Sequence, residues 1–313
     1  MKLLLPFYVL IVTFSYSFFP TYLTVSTPIS DSENSSSRVE NNFIRWIQAS
    51  GGDLIVIHPW TSKEDIDNLL SSKVNGVLFQ GGVLKIDQNN QYYKIVKYIY
   101  EKIISIYNDS KGKIEIPILA VGNDLTLLAT IVSNDLSIIS EYKENKPNNL
   151  IYINSIVETK KCMIFSELQN SDLTNLQEKK IVPNDFHFYI TKEIFLKKLN
   201  NYFNLISISY SHDEVEYVSV IEIKNYKFIQ GISFHPEFVI FEQNSSFDIP
   251  ENLESIKAAR FIGNSFVFYG RKHNNNKMEI EEKLKNLGFN FIDPYCNYPI
   301  YYNERYQYLF SKL

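Results

Sequence analysis

The reading of one stretch, "IPILAVGNDLTLLATIVSND" (Ile116–Asp135), decides the fold. An apolar run from Ile116 to Val121 breaks at Gly122, and a second apolar run from Leu125 to Val132 follows with helical spacing. Strand, sharp turn and helix make the mount on which many α/β hydrolytic enzymes carry a nucleophile. This turn reads Gly122-Asn123-Asp124 and has no Ser, Cys or Thr at its tip.

The same alternation runs upstream. "TYLTVS" (Thr21–Ser26) reads as a first strand, and "NNFIRWIQASGG" carries Phe43, Trp46 and Ile47 on one helical stripe before Gly51-Gly52 stops it. "DLIVIHP" and "NGVLFQGG" are continuous apolar strands, as expected where both faces of a sheet are covered. Ser62, with Asp65 three residues later, opens a helix as a capping box, and Ile95, Ile99 and Ile103 mark a longer helix. Such βαβ repetition predicts a mostly parallel central sheet with helices on both faces, a three-layer α/β sandwich. Ligands of such sheets bind at the carboxyl ends of the strands. Three turns fall there: Gln80-Gly81-Gly82, Gly122-Asn123-Asp124, and the one after "KFIQGISFHPE".

Beyond Asn134 the pattern changes. Asp135 to Asn184 is polar and irregular, with "NLIYIN" and "KCMIFSEL" reading as short strands. Phe203 to Phe234 is strand-like three times, with a hairpin turn near Ser211-His212-Asp213. A last helix is expected over Glu251–Gly270, and the Tyr-rich tail from Asp293 to Phe310 as an edge strand or packed loop. Asp124 reads as the N-cap of the helix that begins at Leu125. An alternative has it activating water beside His235.

The chain has 313 residues, 45% of them hydrophobic, and a net charge of −4. That supports a substantial core and speaks against a nucleic-acid partner, which requires clustered basic surface. No two histidines have metal-ligand spacing, so neither a metal nor another cofactor is expected. Lys2 followed by an apolar run from Leu3 to Phe14 fits a secretory leader, residues 1–19, with an uncleaved membrane anchor as the alternative. A secretory, extracellular or vacuolar destination gives meaning to the glycosylation sequons at Asn34, Asn108 and Asn244. Cys162 and Cys296 are too few for a disulfide scaffold, and their pairing is open.

Five motifs in order resemble one family, the γ-glutamyl hydrolases of the class I glutamine amidotransferase-like (flavodoxin-like) superfamily. They are "NNFIRWIQASGGDLIVI", "VNGVLFQGG", "PNDFHFYI", "IQGISFHPE" and "ESIKAARFIGNSFVFYGRKHN". The resemblance implies a domain over 20–275, a C-terminal extension over 276–313, and a Cys-His-Glu triad that cleaves γ-linked glutamate from folate polyglutamates. It assigns His235 and Glu237 to the base and its orienting partner, and Gly81 and Gly82 to the oxyanion turn. His187, Asn123 and Asp124 fall on the substrate side. Gln80 replaces a family proline, which is expected to loosen that turn. Aligned without gaps from the helix, Gly122 takes the position of the cysteine; a two-residue shift puts Asp124 there instead. Neither register supplies a thiol, and neither Cys162 nor Cys296 sits on an elbow. The resemblance therefore implies a catalytically impaired homologue that still binds a small γ-glutamyl ligand such as folate polyglutamate. Two alternatives stay open: an active hydrolase with another nucleophile, and a structural or dimerisation partner of an active paralogue, itself able to form a homodimer.

Overall fold

The computed structural model describes residues 19–28, 37–82, 85–142, 150–151, 162–185, 187–211, 214–241, 249–274, 276–278, 296–302 and 305–310, with 150–151, 296–302 and 305–310 as backbone alone. The leader, Asn34 and Asn244 lie outside the described residues.

The first half alternates as its periodicity predicts. It runs β1 (Thr21–Val25), β2 (Thr27–Pro28), β3 (Ser37–Glu40), α1 (Asn41–Ala49), β4 (Asp53–Ile57), α2 (Lys63–Ser72), β5 (Gly76–Phe79), α3 (Gln91–Asp109), β6 (Ile118–Val121) and α4 (Asn123–Ser133). The less regular middle holds β7 (Ser140–Glu141), β8 (Leu150–Ile151), α5 (Asn170–Glu178), β9 (Val182–Pro183), β10 (Phe188–Tyr189) and α6 (Lys192–Ile194). The chain closes with β11 (Phe203–Tyr210), β12 (Glu216–Ile223), β13 (Tyr226–Ile232), α7 (Pro236–Phe241), α8 (Leu253–His273), β14 (Cys296–Tyr302) and β15 (Arg305–Phe310).

Seven strands form the central sheet in the order β11-β12-β13-β6-β5-β1-β4. Neighbours from β13 to β4 are parallel, and β11 and β12 extend the sheet antiparallel. One face buries α2, α3 and α4 through side chains such as Ile66, Leu70, Ile99 and Leu128. The other buries α1 and α8 through Phe43, Trp46, Ile262 and Phe266. Trp46 also donates its indole N–H to the Ala259 carbonyl at 2.9 Å, which ties the two helices together. The result is the three-layer sandwich that the sequence implied. Because β1 pairs with β4 on one side and β5 on the other, the chain reverses direction of growth at β1. The carboxyl ends beside that reversal form the crevice in which such sheets bind ligands.

Two local readings change. "KCMIFSEL" is not a strand: Met163–Phe165 is a 3-10 turn, with Met163, Ile164 and Phe165 all buried against the α1/α8 face. An apolar run that short has no periodicity to separate strand from buried turn. The tail is a hairpin, β14 with β15, and β15 pairs antiparallel with β3.

Candidate active site

β6 ends at Val121, and Gly122 turns the chain into α4 with φ +60° and ψ −125°. A side chain in that region of backbone space is strained by about 1–3 kcal/mol; glycine enters it freely. The Gly122 N–H donates to Ile232 O at 2.8 Å, so the tip of the elbow is held against the end of β13. The bend is at Gly122, not at Asp124.

His235 follows β13 and leads into α7, whose first residue is Pro236 and whose first turn carries Glu237. Proline suits that opening position because its missing N–H has no partner there in any case. His235 Nδ1 donates to Glu237 Oε1 at 2.7 Å, and Nε2 faces the Asp185 carbonyl at 3.1 Å. The ring stacks on Phe238, with centroids 4.6 Å apart. Both nitrogens thus face acceptors alone, which favours the doubly protonated imidazolium. Burial works against that charge, but the Glu237 carboxylate outweighs it, helped by Asp185 and Glu40, and lifts the His235 pKa above its ordinary value. An imidazolium has no lone pair with which to accept a proton.

The ring also fills the place of a nucleophile. A Cβ built on Gly122 would lie 2.5 Å from His235 Nε2 and 2.8 Å from Cε1. With two hydrogen bonds and a stacking partner holding the imidazole, it cannot yield that space at little cost.

The glycine turn after β5 is occupied as well. Gly81, at φ +80°, donates its N–H to Asp124 Oδ2 at 2.9 Å, and Tyr92 Oη donates to the same oxygen at 2.6 Å. Asp124 is 4% exposed, and burial pushes its carboxyl up to about 6 against the two hydrogen bonds. Asp124 is therefore not the N-cap of α4: Gly122 holds that position and the carboxylate reaches across to β5. Nor does it bond to His235, so water activation by that pair has no geometry behind it. Asn123 donates from Nδ2 to Gly82 O, and its Oδ1 accepts from the His187 and Phe188 N–H groups at 2.9 and 3.0 Å. His187 contributes through its backbone; its imidazole makes no hydrogen bond among the described residues.

Gln80 stiffens the turn that it was expected to loosen. It is buried, its Nε2 donates to Arg38 O at 2.9 Å and Thr27 Oγ1 at 3.1 Å, and its Oε1 accepts from Glu40 N at 3.0 Å. Thr27 in turn donates to Gly81 O at 2.9 Å. Thr27, Tyr92 and Asp185 are site residues that sequence reading missed. Tyr92 sits on the buried stripe of α3 and reads as core, while Asp185 acts through a carbonyl that every residue has.

Cys162 gives no substitute thiol. It is buried, bonds to Gln230 Oε1 at 3.3 Å, and burial pushes its pKa up to about 12. Asn108 is exposed in the last turn of α3. No group of three His, Cys, Asp or Glu among the described residues could hold a metal ion. Beside the elbow a small open pocket lies between the start of α3, Gly82 and the start of α4.

The mostly parallel sheet with helices on both faces has the class I glutamine amidotransferase-like fold. The glutaminase domain of Trypanosoma brucei CTPS, solved with bound acivicin, shares this fold at a TM-score of 0.54 and 12% identity, over 83% of this chain and 98% of that one. No family model matches the chain. Probable gamma-glutamyl hydrolase 3 of Arabidopsis thaliana is 27% identical over 255 residues, 80% of this chain and 68% of its own. Gamma-glutamyl hydrolase B of Dictyostelium discoideum is 22% identical over 257 residues, 81% and 72% of the two chains. The human gamma-glutamyl hydrolase is 20% identical over 257 residues, 81% and 77%. Over about four-fifths of its length the chain is similar to these gamma-glutamyl hydrolases.

Proposed function

We propose that this chain is a γ-glutamyl hydrolase-like protein that has given up thiol hydrolysis and keeps a small-molecule site for a γ-glutamyl ligand. The observation that carries the reading is the elbow itself. Gly122 has no attacking atom, and His235 Nε2 stands 2.5 Å from where a Cβ would be. Removing a covalent nucleophile costs about six decades of turnover in a triad enzyme. The two other parts of such a site are compromised independently. The Gly81 N–H, an oxyanion donor by position, already bonds a carboxylate, and an oxyanion brought there meets a negative charge. Both ring nitrogens of His235 are already engaged, Nδ1 with Glu237 and Nε2 with the Asp185 carbonyl.

The ligand reading rests on the family names and on the pocket beside the elbow. Entry into the secretory route is part of the same proposal and rests on the basic and apolar start of the chain.

The test is hydrolysis of a γ-glutamyl peptide by the pure full-length chain. No turnover above the uncatalysed rate is expected. Turnover that His235→Ala abolishes would overturn the reading.

A further inference from the structure

Resting on the reading that the site binds rather than cleaves, we propose that the pocket beside the elbow receives the zwitterionic head of an α-amino acid unit. Its free ammonium sits on Asp124 and its carboxylate points toward Lys85.

Asp124 is the buried charged group of this pocket, and its two hydrogen bonds, from Gly81 N and Tyr92 Oη, both fall on Oδ2. Oδ1 makes none among the described residues, and Asp124 lines the pocket. A carboxylate with one oxygen saturated and the other free, walled by Tyr92 and Leu127, attracts a charged N–H donor in preference to water or an anion. Lys85 stands at the exposed rim and forms no ion pair among the described residues. Asp87, the other rim charge, is engaged by the Asn89 N–H at 2.9 Å. Asn90 and Asn123 add amides along the wall. A buried negative charge and a rim positive charge lining one pocket offer partners to an α-ammonium and an α-carboxylate.

The amine has to be free, because an acylated nitrogen has lost its charge and two of its three donors. That admits a free amino acid and a γ-glutamyl dipeptide, whose first residue keeps its ammonium. It disfavours a ligand whose only α-nitrogens are in amide bonds.

Isothermal titration calorimetry on the full chain decides it, with L-glutamate, γ-L-glutamylglycine and the N-acetyl derivative of each. At least one free-amine compound should bind, and its acetylation should weaken binding about tenfold or more, the worth of a charge-assisted hydrogen bond. Which of the two free amines binds tighter names the source. Asp124→Asn should reproduce the loss seen on acetylation, and Lys85→Met, at the rim, should weaken the free-amine compound. The acetylation comparison uses the unmodified chain, so it stands even if Asp124→Asn fails to fold. Acetyl-γ-glutamylglycine binding as well as the free dipeptide would overturn this inference and leave the γ-glutamyl reading in place. Silence from all four compounds would overturn it too, and the hydrolysis assay would judge the loss of catalysis separately.

Discussion

The two halves of the site, at the ends of β13 and β6, have fared differently. At β13 two side chains support each other: His235 and Glu237 pair at 2.7 Å, and Glu237 is 0% exposed. At β6 the elbow bends at a glycine and is tied down by its neighbours, since Asn123 and Asp124 bond to Gly82, Gly81, Tyr92 and the 187–188 segment. The contrast has a physical basis. A buried histidine and glutamate two residues apart support each other, and removing either leaves the other without its partner, so stability alone holds the pair in place. At the elbow the positive φ of Gly122 would strain any side chain, so glycine is the unstrained choice there.

The largest expected effect tests the first half. Glu237→Ala should destabilise the chain by about 3–5 kcal/mol in chemical denaturation, because it strips the partner from a buried charge. A loss under about 1 kcal/mol would break the contrast.

Next comes Asp124, a raised group in the rewired half. Its carboxyl goes from 3.8 to about 6 on folding. Such a group favours the folded state fully below the unfolded value, and the benefit is lost as pH rises through the folded one. The stability of the natural chain relative to Asp124→Asn should therefore fall by up to about 3 kcal/mol between pH 4 and pH 7. Parallel melting curves across that range would show it, and a constant difference would refute it.

Gly122→Cys then asks whether the elbow can be refilled. The positive φ and the displaced imidazole should cost about 1–3 kcal/mol, and γ-glutamyl hydrolysis should not appear. Gain of turnover would mean that His235 gives way easily and that the two halves are still one machine. His187→Ala is the smallest change. With its ring outside every hydrogen bond among the described residues, it should shift stability by about 0.5 kcal/mol or less.

Much of this was legible in the chain. Strand runs such as Leu54–Ile57 and Val77–Phe79, alternating with the stripes of α1 and α3, announced a covered parallel sheet. The Gly81-Gly82 and His235-Pro236-Glu237 signals marked its carboxyl edge. The errors share one cause. Asp124 read as a helix cap, and Gln80 as a loosened turn, because local sequence offers each a local role. Their partners are Gly81, 43 residues from Asp124, and Arg38, 42 residues from Gln80.

The sequence by itself determined the layered fold, the place of the elbow and the absence of a sulphur or hydroxyl at its tip, because these depend on periodicity and residue type along one segment. Only the tertiary structure decided that His235 stands against the tip of the elbow, that Asp124 occupies the Gly81 donor, and that Asp124 lines a pocket. Those facts depend on which distant strand ends are brought within hydrogen-bond reach. Packing of the whole sheet sets that, and no short stretch encodes it.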